Sequence, residues 1–350
     1  MRVVLASLLL SALGASAAPG LSLSVSTPDT VVDVDNLKVT TILKNTGDES
    51  IKVFAQESES VISTYQTNSF AISSESGAVP SFTGVKVKYV AEKVVAANKE
   101  SSFAVLAPGE TIEVEHDLAG VYNFTSVGVG KYGFDANNRF FYVDAENQLQ
   151  AIEAETTATA SKVTGKLAAV GKRPARRSVE RRAIGYNGCS SSRESSISTA
   201  ASNAVTYVNN ATSYLSGISS GTARYTTWFG SYTSSRKSTV QTHYAEIGSD
   251  PLSTTYDCTC TDSDAYAYVY PDEHGYIYLC GAFWDAPATG TDSKAGTIVH
   301  EQSHFTDNGS TQDYVYGQSG CKSLASSNPS EAIENADSHE YFAENNPSLS

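Results

Sequence analysis

Apolar and polar positions alternate through the first part of the chain. Leu37-Lys38-Val39-Thr40-Thr41-Ile42-Leu43 is a strand pattern, Asn45-Thr46-Gly47-Asp48 supplies turn residues, and Ile51-Lys52-Val53-Phe54 reads as the returning strand of a hairpin. Further strands are predicted over 83–90, 111–116 and 139–143, so residues 20–150 read as all-β and a small sandwich is the economical arrangement. Past residue 182 the pattern turns helical. Helices are predicted over 192–217 and 233–247, the first opened by a capping box of Ser191 and Glu194. Ala265–Tyr270 and Tyr276–Leu279 are strand-like and flank a hairpin loop, Pro271-Asp272-Glu273-His274-Gly275. A helix is predicted over 293–305. A last helix starts with Asn328 as cap, Pro329 in its first position and Glu331 reaching back. This half reads as α+β and helix-dominated.

The ends and junctions of these blocks add a compartment. Arg2, the apolar run Val3 to Leu13 and the small residues Ala15-Ser16-Ala17 form a secretory signal over 1–17. That run is too short to cross a bilayer and no later one is long enough, so a soluble, exported protein without a membrane partner is expected. Residues 151–182 are Ala/Thr/Lys-rich and then basic, with Lys172-Arg173-Pro174-Ala175-Arg176-Arg177 and Arg181-Arg182. Between two compositionally different halves this reads as a dibasic processing site, which makes 18–182 a pro-segment removed near Arg182 and 183–350 the mature domain. The formal net charge is −14, and it is uneven: 183–350 holds six basic against 18 acidic residues, the remainder 18 against 20. An acidic second half repels phosphates, which excludes nucleic acid as a partner, and is compatible with cationic substrates. All five cysteines (Cys189, Cys258, Cys260, Cys280 and Cys321) lie in that half, which fits two disulfides and one thiol in an oxidising compartment. Asn123, Asn210 and Asn308 head glycosylation sequons.

The chemistry concentrates in His300-Glu301-Gln302-Ser303-His304. On a helix, residues four apart share a face, so both imidazoles can serve one zinc ion while Glu301 stands close enough to take a proton from water. A catalytic zinc needs a third protein ligand and an open position for water, whose pKa it lowers to about 7. The metzincin extension is excluded, because Asp307 and Ser310 stand where its Gly and His belong. Asp313, Glu331 and Glu334 remain as third-ligand candidates.

H-E-x-x-H followed by Gly309-Ser310-Thr311-Gln312-Asp313-Tyr314-Val315-Tyr316-Gly317 resembles the signature of the aspzincin metallopeptidases, the deuterolysin family. Tyr186-Asn187-Gly188-Cys189, Arg224 to Tyr232, Cys280-Gly281-Ala282-Phe283-Trp284 and His339-Glu340-Tyr341-Phe342 are similar to the fungal peptidyl-lysine metalloendopeptidases within it. The likeness spans 183–350 and is weaker over 18–182, which looks like the family's pro-region. The resemblance implies a zincin-like catalytic domain with a small β-hairpin sheet. It implies His300, His304 and Asp313 as ligands of one Zn2+, Glu301 as general base and Tyr316 as donor to the developing oxyanion. It implies disulfides Cys189–Cys258 and Cys260–Cys280, with Cys321 left as a free thiol. Ser310 departs from the motif, which has glycine there.

Asp337 and Glu340 stand three apart on the last predicted helix and share a face. From the residues alone, a solvated face and a pocket for an ammonium are equally open. The resemblance implies an acidic S1′ pocket and cleavage on the amino side of lysine. Three lysines in 183–350 against eleven in 1–182 agree with a lysine-directed enzyme. The expected partners are proteins or peptides with lysine, and the chain's own pro-segment as intramolecular inhibitor and folding aid; a monomer is expected. The alternatives are a deuterolysin-like endopeptidase of broader specificity and a secreted binding protein with structural zinc. The intact Glu301 argues against the latter, since a closed site needs no base.

Overall fold

The computed structural model describes residues 19–169, 171 and 183–350. The secretory signal over 1–17 and the basic run ending at Arg182 lie outside the described residues.

The first half is strand-rich. Glu155–Thr157, Leu21–Ser26, Lys38–Asn45 and Thr111–Asp117 make one four-stranded sheet in that order. Thr30–Val32, Thr159–Thr164, Gly130–Ala136 and Phe70–Ser74 make a second. Leu149–Glu153, Arg139–Val143, Ile51–Phe54 and Phe103–Leu106 make a third. Period-two alternation does the sorting: Leu21, Leu23 and Val25 point inward and share one apolar core with Leu43, Phe134, Phe140 and Val163. The predicted hairpin does not form. Lys38–Asn45 has both edges taken, by Leu21–Ser26 and Thr111–Asp117, whereas Ile51–Phe54 pairs in the third sheet. Asn45 turns the chain away, its side-chain amide donating to the carbonyls of Glu49 and Leu106 at 2.8 Å each.

The second half packs helices on a five-stranded sheet, in the order Gly185–Asn187, Thr255–Asp257, Tyr276–Leu279, Ala265–Val269 and Lys86–Tyr89. The hairpin of Ala265–Val269 with Tyr276–Leu279 is the one expected. The fifth strand, Lys86–Tyr89, comes from the other half of the chain and runs antiparallel to Ala265–Val269. The strand predicted over 83–90 therefore exists, but completes a sheet to which its own half does not belong.

Helix Ser191–Gly217 is capped one residue earlier than expected, by Ser190, whose hydroxyl accepts from the Arg193 N–H at 3.4 Å. Thr233 caps Ser234–Ile247, which matches the predicted span. The last predicted helix is split into Pro329–Ala332, capped by Asn328, and Ala336–Glu344. The break has a cause: Gln312 N–H donates to Glu334 O and Ala336 N–H to Gln312 O, so the intervening peptide groups serve the loop carrying Asp313. Ile197, Val208, Trp228, Phe229, Tyr244, Ile298 and Phe342 fill the core of this half. Cys189–Cys258 and Cys260–Cys280 are bonded, and Cys321 is a buried free thiol.

Within that core, His243 Nδ1 and His339 Nε2 lie 3.0 Å apart. Burial pushes His243 down to about 4 and His339 to about 3, so both are neutral when folded near neutral pH. His339 thus packs against His243, Phe229 and Tyr244. Below the ordinary histidine value near 6.5 the unfolded chain takes up protons that the folded chain refuses. Stability is expected to be full above about pH 6.5 and to fall toward pH 4, by up to about 1.4 kcal/mol per pH unit for each histidine. Urea unfolding across that range checks this, and a His243→Gln chain should show a shallower fall.

Candidate active site

The helix Lys294–His304 is buried from Ala295 to its end. Its cap is unusually well tied. Ser293 Oγ accepts from Gly296 N–H at 2.9 Å, while Glu344 Oε1 accepts from Ser293 N–H at 2.9 Å and from its hydroxyl at 2.7 Å. That ties the helix to Ala336–Glu344. Gly296 permits the approach, since a Cβ there would fall 2.1 Å from Glu344 Oε1. The consequence is that His300 on one helix faces Asp337 on the other.

His300 and His304, one turn apart, bring their Nε2 atoms within 3.1 Å of each other. Asp313 Oδ1 completes the cluster at 3.3 Å from His300 Nε2 and 3.2 Å from His304 Nε2. Each ring is oriented through its other nitrogen. His304 Nδ1 lies 2.9 Å from Thr311 O, and His300 Nδ1 lies 2.8 Å from Asp337 Oδ1. Glu331 and Glu334 lie in neither of the metal-capable groups among the described residues. The loop delivering Asp313 contains Ser310 at φ +50°, a left-handed conformation that favours glycine, which accounts for the glycine of the motif. Asn308, head of a sequon, is buried and donates to Gln302 O at 2.9 Å.

This donor set fits a divalent metal. Two imidazoles and a carboxylate converge, and the position attracts positive charge. Burial opposes a proton on His300, yet Asp313 and Asp337 on either side raise its pKa to about 10. A metal ion would take the place of that proton. Burial also works against ionising Asp313, but His304 and His300 hold its carboxyl well below the usual range. Beside them, both carboxylate oxygens of Glu301 are buried and accept no hydrogen bond from the described residues. Burial raises Glu301 to about 8, with His300 acting against it. An orphaned buried carboxylate is costly, and one beside a ligand cluster is available for chemistry.

Tyr316 is on the same wall. Its hydroxyl donates to Val87 O at 2.7 Å and lies 2.9 Å from Ser58 Oγ. Burial, with the Asp313 charge, holds this phenol well above the ordinary tyrosine value, so it stays a donor.

Asp337 and Glu340 do share a face, and both are fully buried. Between them stands the ammonium of Lys88, 3.0 Å from Asp337 Oδ1 and 2.5 Å from Glu340 Oε2, with no exposure on any of the three side chains. Burial presses Lys88 toward neutrality, but Asp337 and then Glu340 outweigh it and hold the ammonium charged. Burial pushes the Glu340 carboxyl itself well above the usual range, with Lys88 working against it, so Asp337 is the firmer anionic partner. Burial likewise disfavours ionised Asp337, yet Lys88 and His300 keep its carboxyl below the usual range, while Gly317 N–H donates to its Oδ2 at 2.7 Å. His300, Asp337 and Glu340 form a second metal-capable group, whose cation here is Lys88. Reading the sequence does not find Lys88, because nothing local in Lys86-Val87-Lys88-Tyr89 marks one lysine as buried.

A buried His–His–Asp cluster beside an orphaned glutamate, set in helices packed on a small sheet, defines a metallopeptidase. Residues 214–344 match the aspzincin family, described as lysine-specific metallo-endopeptidase. The chain is 53% identical to the peptidyl-Lys metalloendopeptidase of Armillaria mellea, over 100% of this chain and 98% of the relative. It is 52% identical to that of Grifola frondosa, over 99% of each. A solved structure, the zinc peptidase from Grifola frondosa, is 59% identical over 46% of this chain and 100% of its own, with a TM-score of 0.46. The chain belongs to the aspzincin metallopeptidase family and is a metalloendopeptidase, acting on protein or peptide substrates.

Because Asp337 orients His300 through Nδ1, Asp337→Asn is expected to weaken binding of zinc, used as the probe metal, by about 10–100-fold. Competition against a chelator measures this; an unchanged affinity would show that the ring is held without the carboxylate.

Proposed function

We propose that the chain is the precursor of a secreted zinc endopeptidase that cuts on the amino side of lysine. The observation that carries the reading is the buried Asp337/Glu340 pair, which holds an ammonium and reaches the metal cluster through His300. Residues 1–17 are the signal. Residues 18–182 are the pro-segment, a sandwich-like β unit with a basic linker, which aids folding and inhibits until removed near Arg182. Residues 183–350 are the helix-dominated, zincin-like catalytic domain, a monomer. The names of the relatives from Armillaria mellea and Grifola frondosa support the lysine preference.

His300, His304 and Asp313 would hold the zinc. When bound there, zinc supplies Lewis acidity toward water and the substrate carbonyl. Glu301 takes a proton from the attacking water and passes it to the leaving amine. Tyr316 donates its hydroxyl hydrogen to the oxygen on which negative charge develops. Asp337 and Glu340 fix the substrate lysine as a compact cation. A neutral side chain in that pocket would leave buried carboxylates unpaired, which gives discrimination without any added contact.

Two outcomes are expected. The processed protein should cut an unfolded protein almost wholly before lysine, and a chelator should stop it, as mapped by mass spectrometry. Cuts spread over other residues would reject the pocket, and cuts that survive the chelator would reject the metal. Glu301→Gln should retain zinc and lose about 10²–10⁴ in kcat, read by metal analysis together with a peptide assay.

A further inference from the structure

We propose that residues 85–89 occupy the cleft as the chain's own substrate, and that Val87–Lys88 is a bond the precursor cuts in itself. The inference rests on the reading of the cleft as lysine-directed.

Four observations converge on this bond. Lys86–Tyr89 is extended and adds to the edge of the catalytic sheet antiparallel to Ala265–Val269, the way a bound peptide augments a sheet. Lys88 places its ammonium on both carboxylates of the specificity pocket. The carbonyl just before it, Val87 O, accepts from the Tyr316 hydroxyl at 2.7 Å, which puts the peptide bond on the amino side of Lys88 against the proposed oxyanion donor. Val87 and Lys88 are both fully buried, so the bond is shielded from bulk solvent. No other lysine among the described residues of the first half does this: Lys86, its neighbour, donates instead to Gln312 Oε1 at 2.8 Å.

The strand is also delivered rather than loose. On its flanks Tyr65 donates to Asp262 Oδ2 at 3.0 Å, Lys93 pairs with Asp292 at 3.4 Å, and Lys99 pairs with Asp264 at 3.5 Å. These contacts seat the strand-rich half on the catalytic half and hold the segment in register, which raises its effective concentration in the cleft. An external peptide must displace it.

The step balances as a hydrolysis. The water oxygen bonds to the Val87 carbonyl carbon and the C–N bond to Lys88 breaks. Glu301 carries one water proton to the Lys88 α-nitrogen, and the other is released from the new Val87 carboxyl. No oxidant or reductant is needed.

The test uses the full chain, purified with a chelator, then given zinc and followed by intact mass. The expected products end at Val87 and begin at Lys88, with a rate independent of protein concentration; Glu301→Gln and Lys88→Ala chains should leave this bond whole. In a separate binding measurement on metal-free full chain, a fluorophore-labelled peptide with a single lysine should bind Lys88→Ala about tenfold or more tightly than the parent, because the parent's pocket is filled. The proposal is overturned if the zinc-loaded parent keeps Val87–Lys88 intact while the processed protein cuts peptides before lysine. It is equally overturned if parent and Lys88→Ala bind the probe alike. The mapping on the parent decides the matter even where Lys88→Ala fails to fold. If the processed protein cuts peptides, but not before lysine, the failure lies in the lysine-directed reading.

Discussion

Four ionisable side chains, Lys88, Asp337, Glu340 and His300, meet out of contact with solvent, and Asp337 touches three partners at once: the Lys88 ammonium, the His300 ring and the Gly317 peptide. Charges in such surroundings are stable only as a set. Withdrawing one member of a buried pair costs about 3–5 kcal/mol, because the other is left without partner or water. The pocket therefore demands a cation whenever it is closed. On the proposed reading that demand would link lysine recognition to the chemistry, since the carboxylate beside the Lys88 ammonium also lies 2.8 Å from the His300 ring. An occupant of the wrong charge disturbs both.

The same constraint explains why the two halves of the chain are joined as they are. Without Lys86–Tyr89, Ala265–Val269 would be the edge of the five-stranded sheet, and such edges are covered or bind extended chains. Lys86–Tyr89 covers it, and Lys88 places its ammonium between Asp337 and Glu340 of the second half. The acidic second half and the lysine-rich first half are complementary where they touch, in Lys88 with Asp337 and Glu340, Lys93 with Asp292 and Lys99 with Asp264.

Much of this was legible in the sequence, and the rest failed for identifiable reasons. The i,i+4 histidines, the strand pair 265–269 and 276–279, the helix over 233–247 and the helix cap at Asn328 are local patterns, and local patterns survive folding. The placement of Asp313 beside the histidines came through resemblance, because a turn aspartate and a ligand look alike in one sequence. The hairpin from Lys38–Asn45 to Ile51–Phe54 failed because strand partners are chosen by the whole sheet. The last helix broke at 333–335 because its peptide groups bond to the loop at Gln312, a tertiary demand that propensity does not record. Lys88 was illegible for the deepest reason. Alternation in 85–89 sends its lysines to the polar face, and only carboxylates some 250 residues away make that face a buried one.

On the proposed reading, one buried carboxylate pair serves the lysine and, through His300, the metal cluster. A crystal structure of the full chain carrying Glu301→Gln, grown with zinc, tests it most directly. The expected result is zinc on His300, His304 and Asp313, the Lys88 ammonium within hydrogen-bond distance of Asp337 and Glu340, and Val87 O against Tyr316. An electron density map with the 85–89 strand elsewhere and Asp337 turned away from His300 would contradict it.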